Sequence, residues 1–427
     1  MTGPDRPVAV ESPASTVDRR RSALGGPARV ALIGLGLVVL LSVVRVVSDS
    51  ADITSSGTVS AALRLAVPIG LAGLGGLWAE RAGVVNIGLE GMLILGTWFG
   101  AWAGITYDSP WLGVLLGVVA GAVGGLVHAV ATVTFGVDHV VSGVAINLLG
   151  AGVAQYLSSV AYGDGQVPGA SETQSAIVDP ISSFSLPVLS DGPDLLGDLE
   201  GRGWFLLSDL AGVLRGLTTD VSLLTLLAVL LVPLSFYVLW RTPFGLRLRS
   251  VGENPVAADS LGVPVYRLKY VAVTVSGALA GLGGAALVVG SIYREGQTAG
   301  RGFIGLAAVI FGNWRPGGLA AGAGLFGYAD AIQLRASGAV RGLLLLVALI
   351  LVVVAVVQAV RRRIPLVVAS LGLAVAFALW YASVDTVPSQ LVGFTPHLVT
   401  LLVLAVASQR LRPPAADGVP YRREQQT

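Results

Sequence analysis

The sequence predicts an all-α polytopic membrane protein, and three observations support this fold class. Apolar residues make up 54% of the 427 residues, whereas charged residues make up only 12%. A soluble protein usually carries about 25% charged residues. The mean hydropathy is +0.78. The 57 glycines and 21 prolines are spread through the apolar runs, as is common in membrane helices. This balance excludes a soluble enzyme.

Eleven apolar runs are long enough to cross a bilayer, whose hydrocarbon core of about 30 Å needs about 20 residues of helix. The run 303–312 is too short to span alone. We predict that it is a half-length helix. Together with the span 317–333, it enters the membrane from the external side and returns to that side. The predicted spans are 30–46, 60–78, 89–106, 111–135, 140–160, 221–240, 269–290, 317–333, 340–360, 365–383 and 394–409.

The few charged residues set the predicted orientation. Segment 1–29 carries five arginines and three acids, and loop 241–268 carries four arginines and two acids. Segment 161–220 has the opposite balance, with nine acids and two arginines. By the positive-inside rule, the N-terminal tail 1–29 and loop 241–268 are cytoplasmic and loop 161–220 is external. The C-terminal tail 410–427 is cytoplasmic too, and a transmembrane domain occupies 30–409.

A short sequence repeat predicts internal symmetry. The hexapeptide Leu-Ala-Gly-Leu-Gly-Gly occurs at 71–76 and 279–284, and an Ile-Gly-Leu tripeptide follows each copy, at 87–89 and 304–306. The predicted topology runs the two copies in opposite directions. In transporters, inverted repeats with glycine-interrupted helices mark a substrate site near the membrane midplane. The copies therefore predict an inverted repeat with broken half-helices. Coincidence in a chain rich in Leu, Ala and Gly is the alternative.

Polar residues at these interruptions are candidates for the substrate path. Non-helical backbone at membrane depth must be buried in protein or line a wet cavity. Each candidate also has an alternative role. Asn86 can cap a helix that begins at Ile87, Trp314 can be an interface anchor, and the two carboxylates can make interfacial or helix-to-helix hydrogen bonds. The candidates are Asn86, Glu90, Asn313, Trp314 and Asp330.

The sequence predicts no ATP site, metal site or catalytic group in this chain. A phosphate-binding loop needs a lysine followed by Ser or Thr, and the single lysine, Lys269, precedes Tyr270. There are no cysteines, and His128, His139 and His397 lie far apart in sequence, so no metal site is expected. No nucleophile with a base can be picked out. The arginines lie at the ends of apolar runs and report topology, so no nucleic-acid partner is expected.

The predicted cytoplasmic loop contains a short capped helix. Asn254 or Pro255 can open it, Ala257 and Ala258 keep its face flat, and Gly262 ends it. Since the chain has no phosphate-binding loop, any ATP-driven transport must use a separate ATPase subunit. This loop offers a surface for such a subunit.

Four ordered motifs, at 79–92, 252–262, 300–312 and 413–421, resemble those of ABC-importer permeases. The family is the branched-chain amino acid and simple-sugar superfamily, and within it the chain is most similar to the nucleoside-uptake branch. The resemblance covers roughly 60–335 and 390–421.

The resemblance implies a permease subunit that moves a nucleoside or a related sugar-like solute into a bacterial cell by alternating access. It places the chain in the bacterial plasma membrane. It implies three protein partners: an ATPase subunit that binds ATP and Mg, a paralogous permease subunit and an external substrate-binding lipoprotein. No cofactor is expected in this chain, and Phe303 joins the path candidates. The residues implied in ATPase coupling are Gly252, Glu253, Asn254, Pro255, Ala257, Ala258 and Gly262.

The chain departs from the family pattern in one place. Segment 340–383 adds two apolar spans around three arginines at 361–363, where the family goes almost directly to its last helix. We predict an inserted two-helix hairpin beside about ten core helices. A complete hairpin leaves the last helix in its original orientation. The alternative function is an ion-coupled secondary transporter that uses Glu90 or Asp330 as the coupled carboxylate. It would need no partner.

Overall fold

The computed structural model describes residues 26–163, 167–189, 192–334, 337–384 and 411–422. This part of the chain forms fifteen α-helices and four short strands. Seven of the described helices are long and apolar enough to cross a bilayer. The prediction of an all-α polytopic membrane protein is therefore confirmed.

Most of the helices form a bundle of apolar segments, and short helices and strands connect them. Helix α4 continues as one π-helical turn to Thr134. The helices are α1 Gly26–Ser48, α2 Ser56–Arg81, α3 Leu89–Thr106, α4 Pro110–Ala129, α5 His139–Tyr162, α6 Leu195–Gly201, α7 Leu207–Thr218, α8 Leu223–Arg241, α9 Pro243–Glu253, α10 Pro255–Ser260, α11 Val265–Val288, α12 Arg301–Phe311, α13 Pro316–Gln333, α14 Ser337–Val360 and α15 Ile364–Ser383. The strands are β1 Gln174–Ile177, β2 Ser183–Phe184, β3 Val221–Ser222 and β4 Ile292–Arg294.

The helices lie where the hydrophobic runs predict them. The predicted span 89–106 has the bounds of α3, and the short run 303–312 falls on α12. Polar residues begin several helices: Ser109, Asp138 and Ser222 accept hydrogen bonds from the first backbone N–H groups of α4, α5 and α8. Such caps satisfy donors that have no partner within the helix. The predicted last span, 394–409, lies outside the described residues.

The two central helices, α2 and α11, carry the two copies of the hexapeptide. They are the most deeply buried of the candidate spans. Where they cross, a glycine of each helix lies against the backbone of the other. Gly75 of α2 lies against the backbone of Ser276, and Gly283 of α11 lies against the backbone of Pro68. Helices α3 and α4 pack on α11, and α12 and α13 pack on α2 in the same way. This exchange of partners agrees with an internal two-fold repeat, and the opposite direction of the two halves stays a prediction.

The Ile-Gly-Leu tripeptides do not share this correspondence. The first lies at 87–89, where the non-helical link ends and α3 begins. The second lies at 304–306, inside α12. Only the hexapeptide therefore occupies equivalent places in the two halves.

Glycines bring α4 and α11 into backbone contact. Gly121 of α4 lies against Gly277 and Gly281 of α11, and Gly117 and Gly125 extend the contact in both directions. Small residues at such positions allow membrane helices to approach closely. The interface consists mainly of backbone atoms, so it has no room for an added side chain.

The predicted external loop is folded. Strand β1 pairs with β4 and β2 pairs with β3, both antiparallel. Helices α6 and α7 pack on each other, and α7 packs on α2. Arg215 of α7 pairs with Asp194 at 2.6 Å and with Glu200 at 3.3 Å, and this pairing holds the pKa of the Asp194 carboxyl below its usual range.

Candidate functional site

The first helix break is the link 82–88 between α2 and α3. Its backbone is bonded by side chains from α4 and α5. The carbonyl of Val85 accepts from His128 Nε2 at 3.1 Å, and the N–H of Val85 donates to His139 Nδ1 at 3.2 Å. Asn147 Nδ2 donates to the carbonyl of Ile87 at 3.0 Å. These bonds replace those that a helix would supply, as buried backbone requires.

Asn86 is buried in this link and faces α11. Its amide nitrogen donates to Ser276 Oγ at 2.9 Å and lies 3.4 Å from Met92 Sδ. Its amide oxygen has no partner among the described residues. The alternative in which Asn86 caps the next helix is wrong, because α3 has no side-chain cap from it. Asn147 Oδ1 instead accepts from the N–H of Gly91, at 2.7 Å.

Glu90 joins the first break to the second half of the chain. Its two carboxylate oxygens accept from the N–H groups of Gly300, at 2.9 Å, and Gly302, at 2.6 Å. These donors form the start of α12, and Glu90 itself lies in the first turn of α3. Helix N-termini carry partial positive charge. Glu90 therefore neutralises two helix N-termini that meet at one point.

Asp330 and Phe303 lie around the same end of α12. Asp330 of α13 is 3.6 Å from Arg301, the first residue of α12. Phe303 is exposed, whereas Gly302 and Gly305 on the other side of the helix are buried. Both predicted carboxylates thus have partners within the protein.

A cavity of about 200 Å³ lies beside this junction, between α3, α5 and the segment that leads into α12. The charged residues Arg294 and Glu295 line it, and so do hydroxyl and amide side chains and one aromatic ring. They include Thr97, Gln155, Tyr293, Gln297 and Thr298. Thr298 is two residues from Gly300, so the cavity adjoins the N-terminus that Glu90 caps.

The second site is the turn between α12 and α13. Asn313 and Trp314 both have left-handed backbone, with φ of 52° and 53°, which is uncommon for residues other than glycine. The end of α2 holds the turn. The indole N–H of Trp314 donates to the Glu80 carboxylate, and the Trp314 carbonyl accepts from Arg81 at 2.6 and 3.1 Å. Trp314 is therefore buried against protein and is not an exposed interface anchor.

The predicted short helix in loop 241–268 is present as α10. Asn254 Oδ1 accepts from the N–H of Ala257 at 3.0 Å, Pro255 is the first helical residue, and Gly262 has a φ of +80° just beyond the helix end. Gly252 lies against the backbone of Arg81. The loop thus packs directly on the end of α2.

Residues 411–422 form a strap that joins the loop to the second site; we call it the C-terminal strap. Ala416 N–H donates to the Gly252 carbonyl at 2.9 Å, and Ala415 N–H donates to Glu253 at 3.2 Å. At one end of the strap, Arg412 N–H donates to Asn313 Oδ1 at 2.8 Å. At the other, the ring of Tyr421 lies 5.7 Å from that of Tyr266.

One buried carboxyl lies within the strap. Burial raises the pKa of Asp417 to about 7, although Lys269 beside it opposes the rise. The only lysine of the chain therefore lies where α11 meets the strap.

The path candidates thus fall into two groups. Asn86, Glu90, Phe303 and Asp330 surround the first break and the start of α12. Asn313 and Trp314 lie with Glu80, Arg81, the loop and the strap, a set that we call the coupling cluster. No role was predicted for Glu80, Arg81, Asn147 or the strap. The only available signal was that Glu80 and Arg81 fall within motif 79–92 and that the strap contains motif 413–421.

These features define a multi-pass membrane protein whose paired helix breaks are linked to one helical loop, an arrangement suited to a transport component. Residues 58–356 match the family described as branched-chain amino acid transport system / permease component. Because the match covers most of the sequence, the chain belongs to this family. The recognition made from the four motifs is confirmed.

The relatives of this chain are also named as permeases. The guanosine ABC transporter permease protein NupQ of Bacillus subtilis is 37% identical over 289 residues, which cover 65% of this chain and 82% of the relative. The nucleoside ABC transporter permease protein NupC of Lactococcus lactis is 33% identical over 362 residues, covering 83% and 93%. A putative glucose ABC transporter permease protein of Haloferax volcanii is 34% identical over 285 residues, covering 66% and 78%. No solved structure matches this chain.

Proposed function

We propose that this chain is the permease subunit of an ABC importer that takes up a nucleoside or a related sugar-like solute. Family membership and the relatives' names support the class and the solute. The observation that carries the mechanism is the coupling cluster, in which one loop is bonded to the ends of both halves of the bundle. Glu253 is 3.9 Å from Arg81, and Arg81 in turn binds the α12–α13 turn.

In this mechanism a separate ATPase subunit docks on α10. Leu261 at the end of α10 is 83% exposed, and Val256 within it is also exposed. Exposed apolar side chains on a charged loop suit a protein partner. Movement of α10 would reach Gly252 and Glu253, then Arg81, and then the turn at Trp314. The ATPase supplies the ATP and Mg site.

The geometry around Glu90 favours an uncharged solute. A free helix N-terminus at membrane depth attracts anionic groups, but here one carboxylate already occupies two of them. The hydroxyl and amide groups of the adjoining cavity match the hydrogen-bonding groups of a nucleoside or sugar.

The remaining assignments belong to the same proposal. A paralogous permease completes the membrane pair, and an external substrate-binding lipoprotein delivers the solute. Both chain termini and loop 241–268 are cytoplasmic, loop 161–220 is external, and the membrane is the bacterial plasma membrane.

The test is reconstitution of the importer in proteoliposomes with its ATPase, paralogous permease and binding protein. Leu261→Glu should lower binding-protein-stimulated ATP hydrolysis about tenfold or more, because it places a charge at the centre of the docking surface. Val360→Glu is the matched control, since Val360 is similarly exposed at the end of α14, beside the predicted cytoplasmic turn 361–363. Equal hydrolysis in the two variants would refute docking on α10.

No observation favours the ion-coupled alternative. Glu90 is bonded to the start of α12, and Asp330 pairs with Arg301. Uptake by the purified chain alone, driven by an ion gradient, would contradict the ABC proposal and support an ion-coupled secondary transporter.

A further inference from the structure

Helix α7 turns its apolar face away from the protein. Leu207, Leu210, Leu214 and Leu217 follow a helical spacing that places them on one face, and they are between 36% and 55% exposed. The opposite face is buried and consists of small and polar residues: Ser208, Asp209, Ala211, Gly212 and Gly216. A surface helix of a soluble protein has the reverse arrangement. The medium outside α7 must therefore be apolar.

The buried face of α7 is fixed to α1 and α2. Asp209 pairs with Arg45 at 2.6 Å and accepts from the hydroxyl of Thr54 at 2.5 Å. Gly212 lies against the backbone of Thr54, and Gly216 lies against that of Ser56. Helix α1 ends at Ser48 and α2 begins at Ser56. These contacts place α7 beside the connection between α1 and α2, at the end of the predicted span 30–46.

The surroundings of the leucine face extend the same apolar surface. Val46 and Val47 in the last turn of α1 are exposed, and so are Trp204 and Phe205 just before α7. The Arg202 guanidinium lies 5.0 Å from the centre of the Trp204 ring. A tryptophan beside a cation is typical of the membrane interface.

We propose that α7 is an interfacial helix whose leucine face, together with Trp204 and Phe205, inserts into the lipid bilayer at the boundary where α1 ends. Lipid is the occupant because the leucine face is continuous with the exposed end of a membrane helix and lies at that helix's depth. An amphipathic helix with aromatic residues lies in the plane of such an interface. The C-terminal half of loop 161–220 is thereby anchored to the membrane beside α1 and α2.

The chain has no cysteine, so single-cysteine variants carry one spin label each. Leu210→Cys and Leu214→Cys labels would be compared in nanodiscs that contain this chain alone. The measurement is the accessibility of each label to oxygen, which partitions into lipid, and to a water-soluble nickel chelate. Both labels should favour oxygen, as the lipid-facing control Val353→Cys on α14 should. A label at Leu195→Cys, an exposed leucine on α6, should favour nickel.

Two results would overturn the proposal. Labels on α7 that are as accessible to nickel as the Leu195→Cys label would place the leucine face in water. Labels that become protected only when the paralogous permease or the binding protein is added would assign the face to a protein partner. Because no ATPase or transport is measured, the outcome is independent of the proposed function.

Discussion

Trp314 shows how one residue can stabilise a strained turn. Two consecutive left-handed residues without glycine are costly, and they persist only where the surroundings hold them. Here the indole N–H, the carbonyl and the ring of Trp314 are all in contact with protein, and Glu80 and Arg81 supply the polar partners. Attachment to α2 therefore helps to stabilise the turn.

Trp314→Phe is expected to lower the stability of the purified chain by about 1–3 kcal/mol, because it leaves the buried Glu80 carboxylate without its indole donor. The ring would still fill most of the space. Thermal unfolding in nanodiscs measures the effect, with Trp111→Phe as control, since Trp111 is exposed at the start of α4. Equal melting temperatures for the two variants would show that the indole bond contributes nothing.

At this scale the sequence indicated which residues lie at the helix breaks, but it did not indicate their partners. Asn86, Glu90 and Trp314 stood out because polar or aromatic groups interrupted apolar runs. Their partners are distant: Glu90 binds Gly300 and Trp314 binds Glu80, across more than 200 positions. No local pattern in one sequence specifies such pairs. The capping role considered for Asn86 failed because Asn147, from another helix, caps α3.

At the scale of elements, helix bounds were predictable because bilayer thickness fixes the length of an apolar run. The short run 303–312 was predictable as the half-length helix α12 because its apolar residues end before they reach the length of a full span. The C-terminal strap could not be predicted as an element, because it has no regular structure and gains its order from contacts with Gly252, Glu253 and Asn313. The buried face of α7 was also missed, since its leucine spacing alone does not say which side faces the protein.

Deletion of the C-terminal strap tests its part in coupling. A chain that ends at residue 410 should insert in the membrane but lose most solute uptake, because the end of α9, at Gly252 and Glu253, would no longer be bonded to the α12–α13 turn through the strap. Uptake in proteoliposomes, normalised to inserted protein, measures the loss. A chain that ends at 422 keeps every strap contact and is the control. Full uptake by the shorter chain would show that transport does not require the strap.

At the scale of the whole molecule, the packing of α2 and α11 follows the symmetry that the hexapeptide predicts. The sequence indicated this arrangement because glycines at crossing points repeat in both helices. Helices α14 and α15 correspond to the two apolar runs of the predicted inserted hairpin. The insertion itself stays a prediction, because the family match reaches residue 356, within α14. Helix α15 packs chiefly on α14 and is mostly exposed, so it lies at the edge of the bundle. That position remains compatible with an insertion that leaves the core unchanged.

Gly281→Ala tests the central packing. A methyl group at this position would meet the backbone of Gly117 and Gly121, so the variant should lose about 1–3 kcal/mol of stability through overpacking. Gly372→Ala on α15 is the control, because nothing lies within 4 Å of its added methyl group. Thermal unfolding of both variants in nanodiscs gives the comparison. A stable Gly281→Ala chain would mean that α4 and α11 can separate without cost.

The glycine contact between α4 and α11 also limits how the molecule can move. Backbones in direct contact have no intervening side chains that can change rotamer, so sliding one helix past the other would break the contact outright. We therefore expect helices α4 and α11 to move as one rigid body. If the chain transports by alternating access, the hinge must lie elsewhere. Glycines make the same kind of backbone contact between α12 and α2, at Gly305 and Gly73, and between α5 and α3, at Gly150 and Gly91, so we expect each of these pairs to move as a unit too.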